Sequence, residues 1–479
     1  MNPAEGTNML LGERKNSSQL RSFSINRLFG FKDIKILFDK EATILIAENG
    51  AGKTTILNAL YYTISCKFDK LRPIEFGSII LEFASGETVE IKKDDLDLLD
   101  LNELGSKTLL RKLRPFLPIE EIEILGREAN ISPESFRRRL EMVSRRYRIP
   151  NSSILEVMEF AGRMEKELDP ENPKHNPLTQ KKLRLYRTIK TIKKSIGDTI
   201  LYFPTYRRIE EELKNLGYEE EKLERLNFGD KEDKLIQFGM DDVITKLEKI
   251  KTDIKNSALN LFSKVTGEIL TQFIENLEIT KEMRDRIQPE TLSIVLSRVG
   301  EKNISTSDKE KIKKLVSSKQ INDGKHDYLV YFLSKMVSLY EQQKEKDNSI
   351  NQFASKCNGY LNKKRIVYDE ANVDISIIET TRGNSPIDFK NLSSGEKQII
   401  SLFSKLYLES SGDFILLFDE PELSLSIEWQ RLLLPDILES GRCKLLLAAT
   451  HSPFIFDNDL DLNAKDLDSF VCGEKNRWE

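Results

Sequence analysis

The 479-residue sequence lacks several features that define common classes of protein. Its four cysteines, Cys66, Cys357, Cys443 and Cys472, form no Cys-x-x-Cys pair, so neither a zinc site nor a disulfide framework is indicated. No run approaches the ~20 apolar residues that a membrane-spanning helix needs, and the N-terminus has no apolar signal segment. We therefore expect a soluble protein of the reducing cytoplasm.

An excess of charge of one sign is also absent. Charged residues make up 32 % of the chain, but the formal net charge is only −4. This balance is typical of a protein with long solvated helices, and it does not indicate a strongly basic nucleic-acid-binding protein. The length suits about two or three domains of ordinary size.

A glycine-containing loop follows an apolar run near the N-terminus. Residues 43–47 have the pattern of a short strand, and the residues after the loop have helical character. A phosphate-binding loop occurs in this context, because backbone N–H groups and the positive end of the helix surround the phosphate oxygens. Lys53 is predicted to contact the β- and γ-phosphates, and the Thr54 hydroxyl to bind Mg²⁺. The predicted nucleotide-binding residues here are Glu48, Asn49, Gly50, Ala51, Gly52, Lys53, Thr54 and Thr55.

Two further apolar runs, at 414–418 and 443–449, have the pattern of buried strands, and polar residues follow each of them. Asp419 and Glu420 follow the first run, and two adjacent acids are costly to bury without a cation. In a nucleotide site, Asp419 would hold Mg²⁺ through water and Glu420 would polarise the attacking water. His451 follows the second run, where it could hydrogen-bond the γ-phosphate. The predicted catalytic residues are therefore Glu420, His451 and Lys53.

Four segments occur in an order that resembles the ABC-type ATPases: GAGKTT, LSSGEKQ, LLFDEP and ATHSP. They are similar to that family's Walker A, signature, Walker B and switch-histidine motifs. The resemblance implies that the signature turn completes the nucleotide site of a second copy, so that ATP joins two copies. It assigns nucleotide contacts to Ser393, Ser394, Gly395 and Glu396. Capping of the helix that follows is also predicted for this Ser-Ser-Gly-Glu turn.

The same resemblance implies an α/β fold class: an ABC-type P-loop ATPase head with a mixed sheet and helices, plus a large, mainly α-helical insertion. Residues 1–93 and 356–479 are assigned to the two parts of the head. Residues 94–355 are assigned to the insertion, with a head strand near 198–206. Within the insertion, a helix is predicted to begin at Pro133, and an apolar stripe between Met240 and Leu261 predicts a helical arm.

Further segments, including YFPTYRRIE and ELSLSIEWQ, are similar to the OLD-like ATPases and, among them, to the PtuA family of the Septu anti-phage systems. That resemblance implies a homo-oligomeric ATPase that scaffolds and regulates a separate HNH nuclease of the PtuB type. Some members accompany retrons, so a retron reverse transcriptase and its msDNA are further candidate partners. Relatives often carry histidine where Ser426 stands.

Other functions stay open at this stage. Ala47 replaces the usual first glycine, and no glutamine lies between Gln19 and Gln180 to serve as the family's Q-loop. Both features favour a slow nucleotide sensor, whereas Glu420 favours hydrolysis. The third hypothesis is an SMC-like ATPase that binds DNA without a nuclease partner.

Basic side chains in the predicted insertion could contact a phosphate backbone or form a solvated face balanced by nearby acids. The role of Arg207 and Arg208, after the strand at 199–203, is likewise open between the nucleotide site and surface ion pairs. The basic clusters are Arg111, Lys112 and Arg114; Arg137, Arg138 and Arg139; and Arg145, Arg146 and Arg148.

Overall fold

A computed structural model describes most of the chain. The described residues are 13–48, 50–96, 113, 115–118, 121, 125, 133–147, 149–150, 154–155, 157–158, 177–204, 240–272, 279–299, 301, 303–381, 383–409 and 412–472. They form two compact units. The first contains the described residues up to 204 and from 412 onwards, and the second contains those from 240 to 409.

The first unit contains an antiparallel sheet of four strands. Their order in the sheet is β2-β1-β4-β5. Buried and solvent-facing residues alternate along β4 and β5, so one face of this sheet packs on the core. The strands are β1 (Leu20–Leu28), β2 (Lys32–Leu37), β4 (Ser78–Phe83) and β5 (Thr88–Lys92).

The second sheet of this unit has five strands in the order β12-β3-β11-β10-β6, and every neighbouring pair is parallel. All six residues of β10 are buried, as expected for a strand covered on both faces. The carboxyl ends of β3, β10 and β11 lie at the same edge, where ligands bind in open α/β sheets. The strands are β3 (Ala42–Ile46), β6 (Thr199–Phe203), β10 (Phe414–Asp419), β11 (Cys443–Thr450) and β12 (Ala464–Asp466).

Helices in the first unit include one that begins directly after the phosphate-loop sequence. Its residues Ile56, Leu57 and Leu60 are buried in the same core as Leu417 and Leu447 of the parallel sheet. Each such side chain contributes about 1.5–3 kcal/mol to folding when fully buried. The helices are α1 (Lys53–Ile64), α2 (Lys93–Leu96), α3 (Pro133–Tyr147), α4 (Pro177–Ser195) and α11 (Ile427–Leu438), with short 3-10 turns at 68–71, 453–455, 461–463 and 467–470.

The second unit is mainly helical and contains an antiparallel sheet in the order β7-β8-β9. The two 32-residue helices, α5 and α9, pack on each other. The elements are α5 (Asp241–Gln272), α6 (Lys281–Asp285), α7 (Pro289–Arg298), α8 (Thr306–Ser317), α9 (Asp327–Asn358), β7 (Lys364–Asp369), β8 (Asp374–Glu379), β9 (Ser385–Ile387) and α10 (Ser394–Ser404), with 3-10 turns at 320–322, 324–326 and 389–391 and a π turn at 405–409.

A buried ion pair ties three of these elements together. Arg298 of α7 lies 2.7 Å from Asp347 of α9, with side-chain exposures of 3 % and 1 %. The hydroxyl of Tyr368, on β7, donates to the same carboxylate, and the Arg298 guanidinium lies over the ring of Tyr340. Since removal of one partner would leave an uncompensated buried charge, this pair fixes the position of the sheet on the helices.

The elements expected from the sequence are largely present. The strands predicted at 43–47, 199–203, 414–418 and 443–449 match β3, β6, β10 and β11 within one residue at each end, and α3 begins at Pro133 as predicted. The apolar stripe predicted between Met240 and Leu261 begins one residue before α5 and then continues along this helix. No helix in the described part of the chain is both long and apolar enough to cross a membrane.

The predicted domain boundaries at 93 and 355 stay a prediction. The two compact units divide the chain at other positions. The signature segment, for example, belongs to the second unit together with α5 to α9.

Candidate nucleotide-binding site

The loop between β3 and α1 has the backbone conformation that a phosphate-binding loop requires. Gly50 and Gly52 have φ angles of 84° and 97°, in the left-handed region that side chains disfavour. Gly52 is also the residue that precedes α1, and a Cβ atom there would lie 3.0 Å from the ring of Phe29. Two features therefore require glycine at position 52: the positive φ angle of the turn and the nearby ring of Phe29.

Lys53 points back across its own loop. Its Nζ donates to the carbonyl oxygens of Ala47 at 2.6 Å and Glu48 at 3.4 Å, and the side chain is only 5 % exposed. The same Nζ lies 3.3 Å from Oε1 of Glu420. The structure thus brings together two of the predicted catalytic residues, which are separated by most of the sequence. The contact of this ammonium group with the phosphates of a nucleotide stays a prediction.

The hydroxyl of Thr54 and the carboxylate of Asp419 also meet at this edge. Thr54 Oγ1 donates to Asp419 Oδ2 at 2.7 Å, and Asp419 is 1 % exposed at the end of β10. A hydroxyl and a carboxylate oxygen are the hard oxygen donors that Mg²⁺ prefers, so this pair fits the predicted metal-binding role. When bound, Mg²⁺ supplies charge neutralisation for the β- and γ-phosphate oxygens.

Glu420 has a strained backbone. Its φ is 50°, and its N–H donates to the Ala449 carbonyl at 2.8 Å, which fixes the turn after β10 against β11. A non-glycine residue in this region costs about 1–3 kcal/mol and is found mainly where function requires it. The turn directs Glu420 Oε2 to within 2.6 Å of Nδ1 of His451. The four predicted residues Lys53, Asp419, Glu420 and His451 therefore share one edge of the parallel sheet.

Glu422 joins this group, although its role is not evident from the sequence. It is 6 % exposed, accepts the backbone N–H of His451 at 3.1 Å, and has Oε1 3.2 Å from His451 Nδ1. Burial and a hydrogen bond with Glu420 raise the pKa of Glu422 above its ordinary value. The fact that Glu422 is the second acid of a Glu-Pro-Glu turn was the only local signal for it.

The proton balance of the two carboxyl groups follows from their surroundings. Burial acts to raise the pKa of Glu420, but the hydrogen bond from Glu422 and the charges of Lys53 and His451 outweigh it and hold this pKa below its ordinary value. Glu422 therefore retains a proton more readily, and Glu420 stays ionised. An ionised carboxylate is the form that can accept a proton from water. Side-chain atoms of Glu420, Glu422 and His451 lie within 4.8 Å of one another, so this trio also has the donor set to hold a cation.

The position of Glu422 gives a first prediction. Replacement by alanine removes the acceptor for the His451 N–H and the partner of Glu420, so we expect turnover of ATP to fall about tenfold because the groups lose their alignment. Glu422→Gln keeps an oxygen for the same N–H and should retain most of the rate. Steady-state phosphate release by both variants tests this. A wild-type rate for Glu422→Ala would show that Glu422 positions nothing that matters for catalysis.

The signature turn lies in the second unit, where it begins α10. Ser393 is exposed, and its side chain accepts the N–H of Glu396 at 3.4 Å while the Glu396 carboxylate accepts the N–H of Ser393 at 2.7 Å. Lys364 of β7 holds that carboxylate at 2.8 Å. Burial acts to raise the pKa of Glu396, but the Lys364 and Ser393 contacts outweigh it and lower the pKa. The capping predicted from the sequence is therefore present, and Glu396 fixes the turn.

The other predicted signature residues differ in exposure. Gly395 is buried, Ser394 is half-buried and Ser393 faces solvent. The serine that the resemblance assigns to a second copy is thus accessible on this unit. Ser426, where relatives often carry histidine, begins α11 and accepts the Trp429 N–H at 3.4 Å.

Several residues singled out in the sequence lie outside the described part of the chain, namely Asn49, Arg111, Lys112, Arg114, Arg148, Arg207 and Arg208. Of the described basic clusters, Arg139 pairs with Glu121 at 3.1 Å. Arg138, Arg145 and Arg146 are exposed. Thr55 is half-buried in the first turn of α1.

Comparison with known proteins agrees with this geometry. The sequence matches the AAA ATPase domain family over residues 19–456. The chain belongs to this family. Membership confirms the predicted α/β P-loop ATPase fold. A nucleotide is the ligand that this family implies for the site.

Two individual proteins are also similar. A retron Vc95 probable ATPase of Vibrio cholerae serotype O1 biovar El Tor is 24 % identical over 454 residues, which cover 91 % of this chain and 71 % of that protein. The crystal structure of an Smc head domain with an extended coiled coil, bound to the C-terminal domain of ScpA and derived from Pyrococcus furiosus, covers 91 % of each chain at 11 % identity and a TM-score of 0.29. A TM-score at that level carries no conclusion about this chain.

Proposed function

We propose that this AAA ATPase domain protein binds and hydrolyses ATP with Mg²⁺, and that ATP joins two copies of the chain. The observation that carries the proposal is the contact of Lys53 with Glu420 at 3.3 Å beside the Thr54–Asp419 pair at 2.7 Å. Lys53 binds the phosphate tail, Thr54 and Asp419 hold the metal, Glu420 accepts the proton of the attacking water, and His451 is aligned by Glu420 and Glu422.

The role of the second copy rests on the signature turn. The capping box uses the N–H groups of Ser393 and Glu396, so the N-terminus of α10 offers those of Ser394 and Gly395 together with the exposed Ser393 side chain, and this set suits a γ-phosphate. Lys364 and Glu396 hold the turn in a fixed conformation, so little ordering remains to be lost when it closes on a ligand. In this proposal, ATP binding closes two such sites, and hydrolysis releases them.

Sedimentation analysis with a non-hydrolysable ATP analogue tests the joining of two copies. Wild-type protein should shift from monomer toward dimer as the analogue is added, whereas Ser393→Arg should stay monomeric because the side chain blocks the turn. Ser307→Arg is the matched control, since it adds the same charge at an exposed position on α8 of the same unit. A dimer of unchanged stability in Ser393→Arg would contradict the proposal.

The biological setting is proposed from the relatives. The similarity to a retron probable ATPase supports a role in an anti-phage defence complex, as does the resemblance to the OLD-like and PtuA ATPases. The ATPase would then scaffold and regulate a separate HNH nuclease, with a retron reverse transcriptase and its msDNA as further partners. This setting predicts an HNH nuclease gene beside the gene for this chain, and co-expression of the two should give a stable complex on purification. Elution of the two proteins apart would count against this setting.

A slow nucleotide sensor is the second candidate. Lys53 is already engaged by two carbonyl oxygens of its own loop and by Glu420, so a nucleotide must displace these contacts before it binds. Ala47 and the missing Q-loop glutamine point the same way. In this case ATP would fix the assembly and turnover would contribute little. The rate of ATP turnover by a Glu420→Gln variant, compared with wild type, separates the two candidate functions.

A further inference from the structure

Helix α4 of the first unit carries an uneven share of the positive charge. Its 19 residues contain seven lysines and arginines and no acid, whereas the whole chain has a net charge of −4. None of these seven belongs to the basic clusters noted in the sequence. They are Lys181, Lys182, Arg184, Arg187, Lys190, Lys193 and Lys194.

Five of the charges of α4 lie on its solvent side. Leu185, Ile189 and Ile192 are buried in the core, which fixes the orientation of the helix. Arg187, Lys190 and Lys194 recur at steps of three and four on the opposite side, and all three are exposed. Arg184 and Lys193 are exposed on either flank of this stripe, which we call the α4 basic face. From position 184 to position 194 the face extends about 15 Å along the helix.

Neighbouring acids neutralise only part of the α4 basic face. Arg184 lies 3.4 Å from Asp95, and Lys194 lies 3.7 Å from Glu87 with 76 % of its side chain exposed. The Lys194–Glu87 pair is exposed, so it contributes little to stability and exchanges readily for other partners, whereas the Asp95 carboxylate that holds Arg184 is buried. Within the described residues, Arg187, Lys190 and Lys193 make no ion pair. The centre of the face is therefore a row of positive charge that pairs with no acid among the described residues.

We propose that the α4 basic face binds the phosphate backbone of double-stranded DNA without reading its sequence. A duplex carries about one negative charge per 1.7 Å of its axis, so a 15 Å face meets several phosphates at once. The proposal does not depend on ATP hydrolysis. The α4 basic face shares no residue with the candidate nucleotide site.

The composition of the face distinguishes DNA from other polyanions. A membrane-bound helix inserts bulky apolar side chains, but the apolar side chains of α4 that the structure describes as buried, Leu185, Ile189 and Ile192, lie in the core. Single strands are held by stacking on exposed aromatic rings, and none of the exposed positions described on α4 is aromatic. Double-stranded RNA is recognised through its 2′-hydroxyl groups. The exposed positions described on α4 carry only lysine and arginine, the side chains that most often contact DNA phosphates, and a duplex-RNA competitor in the test below separates the two duplexes.

Fluorescence anisotropy with a labelled 30-base-pair DNA of arbitrary sequence tests the proposal. We expect the wild-type chain to bind it at 50 mM salt, with and without ATP, and to lose affinity steeply as salt rises. The triple variant R187Q/K190Q/K194Q should bind about tenfold more weakly or worse. Its slope of log K against log salt should be shallower by about 2.7, from 0.9 for each lost phosphate contact.

The matched control is K311Q/K313Q/K314Q, which removes the same charge from α8, where Lys311 and Lys313 pair with Asp308 and Glu310. This control should keep the wild-type affinity and slope. Thermal unfolding confirms that both variants are folded, and R187Q alone should lose about one third of the slope change. Equal binding by the triple variant and the control would overturn the proposal. So would a wild-type chain that binds anionic phosphatidylserine vesicles or duplex RNA in preference to duplex DNA.

Discussion

Replacement of Glu420 by glutamine should lower steady-state ATP turnover by at least about a hundredfold while leaving ATP binding intact. A positioned general base contributes about 10²- to 10⁴-fold to rate, and glutamine keeps the shape of the side chain but cannot accept the proton of water. Its amide can still lie beside Lys53 and His451, so the site should keep its geometry. With hydrolysis stopped, the ATP-bound dimer should also accumulate. Phosphate release and sedimentation in the presence of ATP measure the two effects.

The control for this experiment is Glu428→Gln, a change of the same chemistry at an exposed position in the first turn of α11. It should hydrolyse ATP at the wild-type rate. If Glu420→Gln and wild type turn over at equal rates, Glu420 is not the general base. The slow-sensor function would then be favoured.

Replacement of Lys53 by alanine should weaken ATP binding by about a hundredfold. Hydrogen bonds between an ammonium group and phosphate are charge-assisted, and each is roughly twice as strong as a neutral one. The change also leaves the partly buried Glu420 carboxylate without its 3.3 Å cation, which adds repulsion toward the triphosphate. Titration with a fluorescent ATP analogue measures the affinity directly.

Lys92→Ala provides the comparison for this variant, because Lys92 is exposed on β5 and makes only a 3.8 Å pair with Glu90. It should bind ATP as wild type does. Wild-type affinity in Lys53→Ala would mean that the loop before α1 does not hold the phosphates, and the assignment of the site would fail with it.

The local structure around the candidate nucleotide site was largely predictable because its signals are local. A continuous apolar run predicts a strand buried on both faces, and both β10 and β11 follow that rule up to the polar residues at their ends. The Gly-Lys-Thr loop specifies its own turn through Gly50 and Gly52. The Ser-x-x-Glu spacing of the signature likewise predicts the capping that Ser393 and Glu396 make.

Glu422 could not be predicted in the same way, because its role depends on how two distant segments pair. Asp419 lies opposite Ala449 in the parallel register of β10 and β11, and this register brings the N–H of His451 to the Glu422 carboxylate. No spacing within one segment encodes that contact. Lys364 is a similar case, because its side chain on β7 contacts Glu396 on α10, which lies 32 residues later in the sequence. No feature of the sequence predicted that α10 belongs to the same compact unit as α5 to α9.

The central claim is that Lys53 of one copy and Ser393 of another act on the same ATP. Mixing two inactive chains, Lys53→Ala and Ser393→Arg, tests it most directly. In a two-fold dimer each mixed pair contains one site with both changes and one site with neither, and half of a random mixture consists of mixed pairs. Full random pairing would give a quarter of wild-type turnover, and the blocked second site weakens the mixed pair, so the account predicts a clear recovery of turnover to at most about a quarter of the wild-type rate at the same total chain concentration.

The accompanying control mixes Lys53→Ala with Glu420→Gln, whose side chains meet within one chain at 3.3 Å. Every site in that mixture lacks one of the two residues, so no activity should return. Recovery in the first mixture and none in the second is the predicted result. If the Lys53→Ala and Ser393→Arg mixture stays as inactive as its components, while each chain remains folded, the shared site does not exist and the account is contradicted.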